Sequence, residues 1–128
     1  MTHGKVGLGR RGESLAAEAL ARHGFDVVTR NWHCPAGEVD LVARQDGEWY
    51  FIEVRTRRGA RQGTPEQSIT PSKATRMETV ARTYLGEEIA ALDVTWHLSV
   101  VAVGLDRSGR LLRLTFYPNL ESAPQELL

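Results

Sequence analysis

The stretch GEVDLVARQDGEWYFIEVRTR, residues 37–57, decides the fold. Two apolar runs flank the turn-rich Gln45-Asp46-Gly47, so the stretch reads as a β-hairpin. Side chains alternate along a strand, which puts Glu38, Asp40 and Val42 on one face of the first strand. By the same rule Trp49, Phe51, Glu53 and Arg55 share a face of the second. A loop from Gln45 to Glu48 pairs Arg44 with Trp49, Val42 with Phe51, Asp40 with Glu53 and Glu38 with Arg55. A slip of one residue would send the two sets to opposite faces.

That register sets two carboxylates opposite each other, with β-carbons about 5 Å apart, where like charges destabilise the sheet. Three things can offset the repulsion. One carboxylate takes up a proton, neighbouring cations such as Arg55 and Arg57 neutralise the pair, or a divalent metal bridges it. A hard ion such as Mg²⁺ suits oxygen ligands and fills its remaining positions with water and substrate phosphate. Phe51, Ile52 and Val54 make the second strand read as central, and carboxylates in a partly buried place need such a partner.

Outward from the hairpin, residues 13–23, ESLAAEALARH, form a helix stopped by Gly24. FDVVTR (25–30) is a short strand, and Asn31 to Gly37 a loop. Residues 57–68, RRGARQGTPEQS, read as a mobile loop. Thr70-Pro71 then supplies an N-cap and an N1 proline. Met77, Val80, Ala81, Tyr84 and Leu85 follow on one helical face, and Gly86 closes it. WHLSVVAVGL and RLLRLTFYP pair around Asp106-Arg107-Ser108-Gly109. The order is αβββαββ, an α/β fold with a mixed central sheet flanked by helices. One domain over 1–118 is expected, with 119–128 as a loosely held tail.

Sixteen basic and sixteen acidic residues cancel, which excludes indiscriminate coating of nucleic acid. The charges are unevenly spread: Lys5, Arg10 and Arg11 lie together, as do Arg55, Arg57, Arg58 and Arg61, so a local basic face fits inside a neutral total. A single cysteine, Cys34, gives no disulfide framework, and with His33 it falls short of a zinc ligand set. There is no signal-peptide core or bilayer-length apolar run, so the expected compartment is the cytoplasm, away from membranes. Gly7-Leu8-Gly9-Arg10-Arg11-Gly12 spells a dinucleotide fingerprint but lacks the preceding strand, so no nucleotide cofactor is expected. As a flexible, glycine-rich lead-in it is either a plain mobile start or one that carries Arg10 and Arg11 to nucleic-acid phosphates. Trp32 is expected to pack rather than stack a base, and Lys73 to be either a solvated cation or a phosphate contact. No nucleophile elbow or P-loop is present.

Gly12-Glu13 at a helix, Gly37-Glu38-Val39-Asp40 and Phe51-Ile52-Glu53-Val54-Arg55 together resemble the YraN-like family of small bacterial proteins. Asn31 and Thr70-Pro71-Ser72-Lys73 also match, and the resemblance runs from about Gly7 to Val103. It implies a compact restriction-endonuclease-like fold and a Mg²⁺- or Mn²⁺-dependent nuclease centre. In that centre Asp40 and Glu53 are the metal carboxylates, the Val54 carbonyl completes the protein's share, and Glu13 approaches from the first helix. The implied partner is nucleic acid, DNA before RNA, met by Arg10, Arg11, Arg57 and Lys73; a homodimer is compatible.

Three positions depart from the family pattern. Arg55 stands where the signature has lysine; it stays charged, so it can clamp a phosphate but not act as base. Gln67 lies where a glutamate is usual, and His97-Leu98-Ser99 replaces an Arg-aromatic-Asp run. The sequence therefore supports two functions: a metal-dependent phosphodiester hydrolase, or a non-catalytic nucleic-acid- or partner-binding module on the same fold. A third, purely structural account has arginines neutralising the Asp40–Glu53 cluster.

Overall fold

Asp46 (φ 54°) and Gly47 (φ 80°) both take left-handed backbone, the tight two-residue turn whose twist matches that of the strands it joins. In the computed structural model, which describes residues 3–59 and 69–128, this turn connects β2 (Gly37–Gln45) to β3 (Glu48–Arg58). The expected pairs Val42↔Phe51 and Arg44↔Trp49 form, and Gln45↔Glu48 pairs as well, so the loop is shorter than read. The ladder stops at Leu41↔Ile52. The expected pairings of Asp40 with Glu53 and Glu38 with Arg55 are thus not formed.

Around the hairpin lie α1 (His3–Arg22), β1 (Asp26–Cys34), α2 (Pro71–Tyr84), β4 (Trp96–Leu105), β5 (Leu111–Tyr117) and β6 (Gln125–Glu126). The six strands form one sheet in chain order; β3 and β4 are parallel and every other neighbour pair is antiparallel. A parallel pair needs a crossover, and the segment containing α2 provides it. On one face, Ala16, Ala19 and Leu20 of α1 pack on Leu41, Ile52, Val101 and Phe116. On the other, Val80, Ala81 and Tyr84 of α2 pack on Val42, Trp49 and Phe51. No described helix is long and apolar enough to cross a membrane.

Thr70 caps α2 as expected, its Oγ1 accepting the Lys73 N–H at 3.1 Å. Gly86 does not end it. The helix continues as a π-turn over Leu85–Ile89, held by the fully buried Leu85, and stops at Ala90 (φ 58°). Trp32 packs edge-on against Tyr84, with centroids 5.1 Å apart, and donates Nε1–H to Glu88.

Three further expectations are corrected. The Gly7–Gly12 stretch is part of α1 and not a flexible lead-in. There Gly12 lets the helix sit directly on β3, because a β-carbon would collide with the Thr56 side chain. β1 runs on to Cys34 through the supposed loop, carrying Asn31 at φ 54°. The tail is tied down: β6 pairs with β5, and Leu127 is buried with its N–H on the Leu114 carbonyl at 2.8 Å. The Leu127 carbonyl in turn accepts from His23 Nε2 at 3.0 Å. The greater part of the expected mobile loop, with Arg61 and Gln67, lies outside the described residues.

Candidate active site

Asp40 sits where β2 loses its regularity. Strict alternation would place Val39 and Val42 on opposite faces, yet both pack in the α2-side cluster. Opposite Asp40, β1 carries Asn31 in left-handed backbone, and the β1–β2 pairing skips from Trp32↔Val39 to Arg30↔Leu41. With β2 parted from β3, the Asp40 carboxylate takes over a backbone bond: its Oδ2 accepts the Val54 N–H at 2.8 Å. Its Oδ1 has no hydrogen-bond partner among the described residues. Burial pushes its pKa from 3.8 up to about 7, against the Val54 hydrogen bond, and the charges of Glu13, Glu53 and Glu38 push in the same direction.

Glu53 has the opposite surroundings. Its Oε2 receives Arg55 Nε at 3.0 Å, and Lys73 Nζ lies 3.0 Å from its Oε1. The capped first turn of α2 aims Lys73 at the sheet, where it pairs with Glu53 and is therefore not a simply solvated cation. Two of the three offsets weighed above are therefore present together: Asp40 is poised to hold a proton, and Glu53 is neutralised by two cations.

Beyond the end of the β2–β3 ladder, an open cleft of about 400 Å³ is lined by Arg55, Thr56, Arg57 and Arg58. Successive strand residues point to alternate faces, so a cleft lined by four in a row opens onto the strand's edge. Arg57 and Arg58 are exposed along it. The structure thus brings Glu13, Asp40, Glu53, Val54, Arg55 and Lys73 into one region, with Arg57 at the cleft beside it. Val54 meets Asp40 through its N–H. Arg11 reaches the β4–β5 turn, while Arg10 is exposed on α1 without an ion-pair partner among the described residues. Among those residues no three His, Cys, Asp or Glu side chains group closely enough to hold a metal alone.

Sequence reasoning missed the break at Asp40, the Lys73–Glu53 bridge and the placing of Arg58. Asn31, a residue type that tolerates left-handed backbone, was the one local signal of the first. Ser99, at a position where the family pattern differs, is fully buried and satisfied by the Pro118 carbonyl at 2.6 Å. His97 bonds Glu48 at 2.7 Å and stacks on Tyr50 at the opposite end of the strands from Asp40 and Glu53.

Compared with known proteins, residues 12–103 match the profile of Uncharacterised protein family UPF0102. The chain is 43% identical over 105 residues to a UPF0102 protein of Roseiflexus castenholzii, covering 82% of this chain and 85% of that one. It is 44% identical over 103 residues to a UPF0102 protein of Moorella thermoacetica, covering 80% and 85%. Against a UPF0102 protein of Geobacter sulfurreducens the figure is 41% over 101 residues, covering 79% and 77%.

Proposed function

The chain belongs to the UPF0102 family, which is the YraN-like family, and from that premise we propose that it is a nucleic-acid-binding protein of nuclease type that hydrolyses phosphodiester bonds with a divalent metal. The observation that carries the reading is Asp40: a largely buried carboxylate with one oxygen unpartnered among the described residues, close to other carboxylates and beside an arginine-lined cleft. The mixed sheet between two helices, with Asp40 and Glu53 on adjacent strands, supports a restriction-endonuclease-like reading of the fold.

The donor set suits Mg²⁺ or Mn²⁺. Asp40 and Glu53 offer hard oxygens, and two carboxylates are the usual protein share for Mg²⁺. A metal bound there supplies a nucleophilic water at neutral pH and neutralises charge growing on the phosphodiester. The Val54 N–H fixes the Asp40 carboxylate, leaving Oδ1 to face the ligand. Arg55 orients Glu53 through Nε and serves as the phosphate clamp. Lys73 holds the other Glu53 oxygen and, unlike Arg55, is of a type whose proton can be moved. A cytoplasmic protein acting on DNA before RNA fits this reading.

One observation favours the alternative, a non-catalytic binding module. Both oxygens of Glu53 are already met by cations, so its charge is balanced without a metal. Calorimetric titration of Mn²⁺ into the wild type and Asp40→Asn, with and without a short DNA duplex, separates the two. Binding that disappears in the variant supports the metal centre and makes cleavage assays the next step. No binding to either, with DNA present, refutes the metal centre and leaves a scaffold whose carboxylates are neutralised by arginines, with the search moving to partners.

A further inference from the structure

The α1 side of the arginine-lined cleft carries a feature that the carboxylate centre does not explain. At the β4–β5 turn, Arg58 Nη2 and Arg11 Nη1 lie 2.9 Å and 3.3 Å from where a β-carbon on Gly109 would sit. Two guanidinium groups from distant parts of the chain thus rest over one glycine, which is buried although Arg107, Ser108 and Arg110 around it are exposed. Any side chain at this position would displace Arg58, and φ +93° is backbone that L residues rarely adopt.

Like charges gathered this way call for an anion, and the turn's own acid is engaged elsewhere. Asp106 Oδ1 accepts the Ser108 N–H, the Ser108 hydroxyl and the Arg110 N–H at 2.8–2.9 Å, all within the turn. Neither Arg11 nor Arg58 forms an ion pair with a described carboxylate. Both arginines are exposed residues, and Arg58 also lines the cleft that begins beside Asp40 and Glu53. Arg58 lies five positions beyond Glu53 along β3, about 16 Å at the rise of a strand. That is too far for one phosphate to touch both places, and within reach of a second phosphate on the same polynucleotide.

We infer that Arg11 and Arg58, seated on Gly109, form a clamp for a backbone phosphate of nucleic acid, distinct from the phosphate held at Asp40, Glu53 and Arg55. The inference rests on the nucleic-acid reading proposed above and extends the contact surface from the sheet edge to the β4–β5 turn. The clamp reads charge and spacing, so it contributes affinity and orientation without sequence preference.

The test is fluorescence anisotropy of short labelled DNA and RNA duplexes in EDTA over a range of salt concentrations. It compares the wild type with Arg11→Gln, Arg58→Gln and the double variant. Each single variant is expected to bind roughly three- to tenfold more weakly, whatever the duplex sequence. The slope of log K against log salt should fall by about one for each arginine removed. Wild-type affinity and slope in the double variant overturn the clamp while leaving the nucleic-acid reading in place. A wild type that binds neither duplex, in EDTA or with Ca²⁺ in its place, overturns both. Thermal melts establish that the variants fold; if Arg58→Gln does not, Arg11→Gln alone carries the comparison, and wild-type affinity and slope in it overturn the clamp.

Discussion

Asp40→Asn should stabilise the metal-free protein above neutral pH and do nothing comparable in mild acid. The Asp40 pKa is raised from 3.8 to about 7 by burial and by Glu13, Glu53 and Glu38, so between those values the folded chain holds a proton that the unfolded chain has released. Stability therefore falls as pH rises through that window and levels off above about 7. At 1.36 kcal/mol per pH unit the full penalty is about 4 kcal/mol, an upper bound because the carboxylate is not wholly buried. Between about pH 5 and about pH 8, about 2–3 kcal/mol of it is realised. Asparagine keeps a carbonyl to accept the Val54 N–H and carries no charge, so its stability should lack this step. Urea denaturation of both proteins in EDTA at the two pH values measures the effect as a difference of differences. A gap between variant and wild type that is the same at both pH values would refute the reasoning, since Asp40 would then be no more protonated folded than unfolded. Added Mg²⁺ should narrow the gap at the higher pH by binding the ionised wild type.

Other substitutions test separate parts of the argument. Gly12→Val forces a β-carbon onto Thr56, whose own Cβ lies 3.0 Å from the new atom, and should cost about 1–3 kcal/mol in urea denaturation. An unchanged midpoint would mean α1 does not sit on β3 as described. Leu127→Ala should cost about 2–4 kcal/mol because the side chain is 4% exposed within the α1-side core. A loss under about 0.5 kcal/mol, as for an ordinary surface change, would show the tail to be detached. Arg55→Lys supplies a group able to lose a proton beside Glu53, and should raise metal-dependent cleavage of DNA in a gel assay. No gain on any duplex or single-stranded substrate would show that the arginine is not what limits turnover.

Much of the fold was legible because its signals are local. Hairpin alternation as far as Leu41, the Thr70-Pro71 helix start and the apolar face from Met77 to Leu85 each follow from a few neighbouring residues, and each is found, although Gly86 does not close the helix. The tail was misread because Leu127 gains its burial only once β5, α1 and His23 have assembled around it. Likewise, nothing near Gly7–Gly12 announces that Thr56 needs a bare α-carbon opposite it.

The site was legible in composition but not in geometry, and Asp40 shows why. The sequence reading assumed that β2 stays in register with β3, which makes Asp40 and Glu53 a cross-strand pair on one face. Instead the pairing ends at Leu41↔Ile52, and Asp40 bonds the first β3 N–H beyond that point on the side β2 has left. Because β3 keeps its full pairing with β4 on the other side, the parting of β2 leaves a strand with one edge unpaired among the described residues. A bare edge of this kind would invite another strand, and arginines at positions 55, 57 and 58 make it unsuitable for one. They make it suitable for a polyanion. The break that leaves one Asp40 oxygen unpartnered among the described residues is thus the same break that opens the basic cleft, so one irregularity in β2 creates both the acidic centre and the cleft beside it.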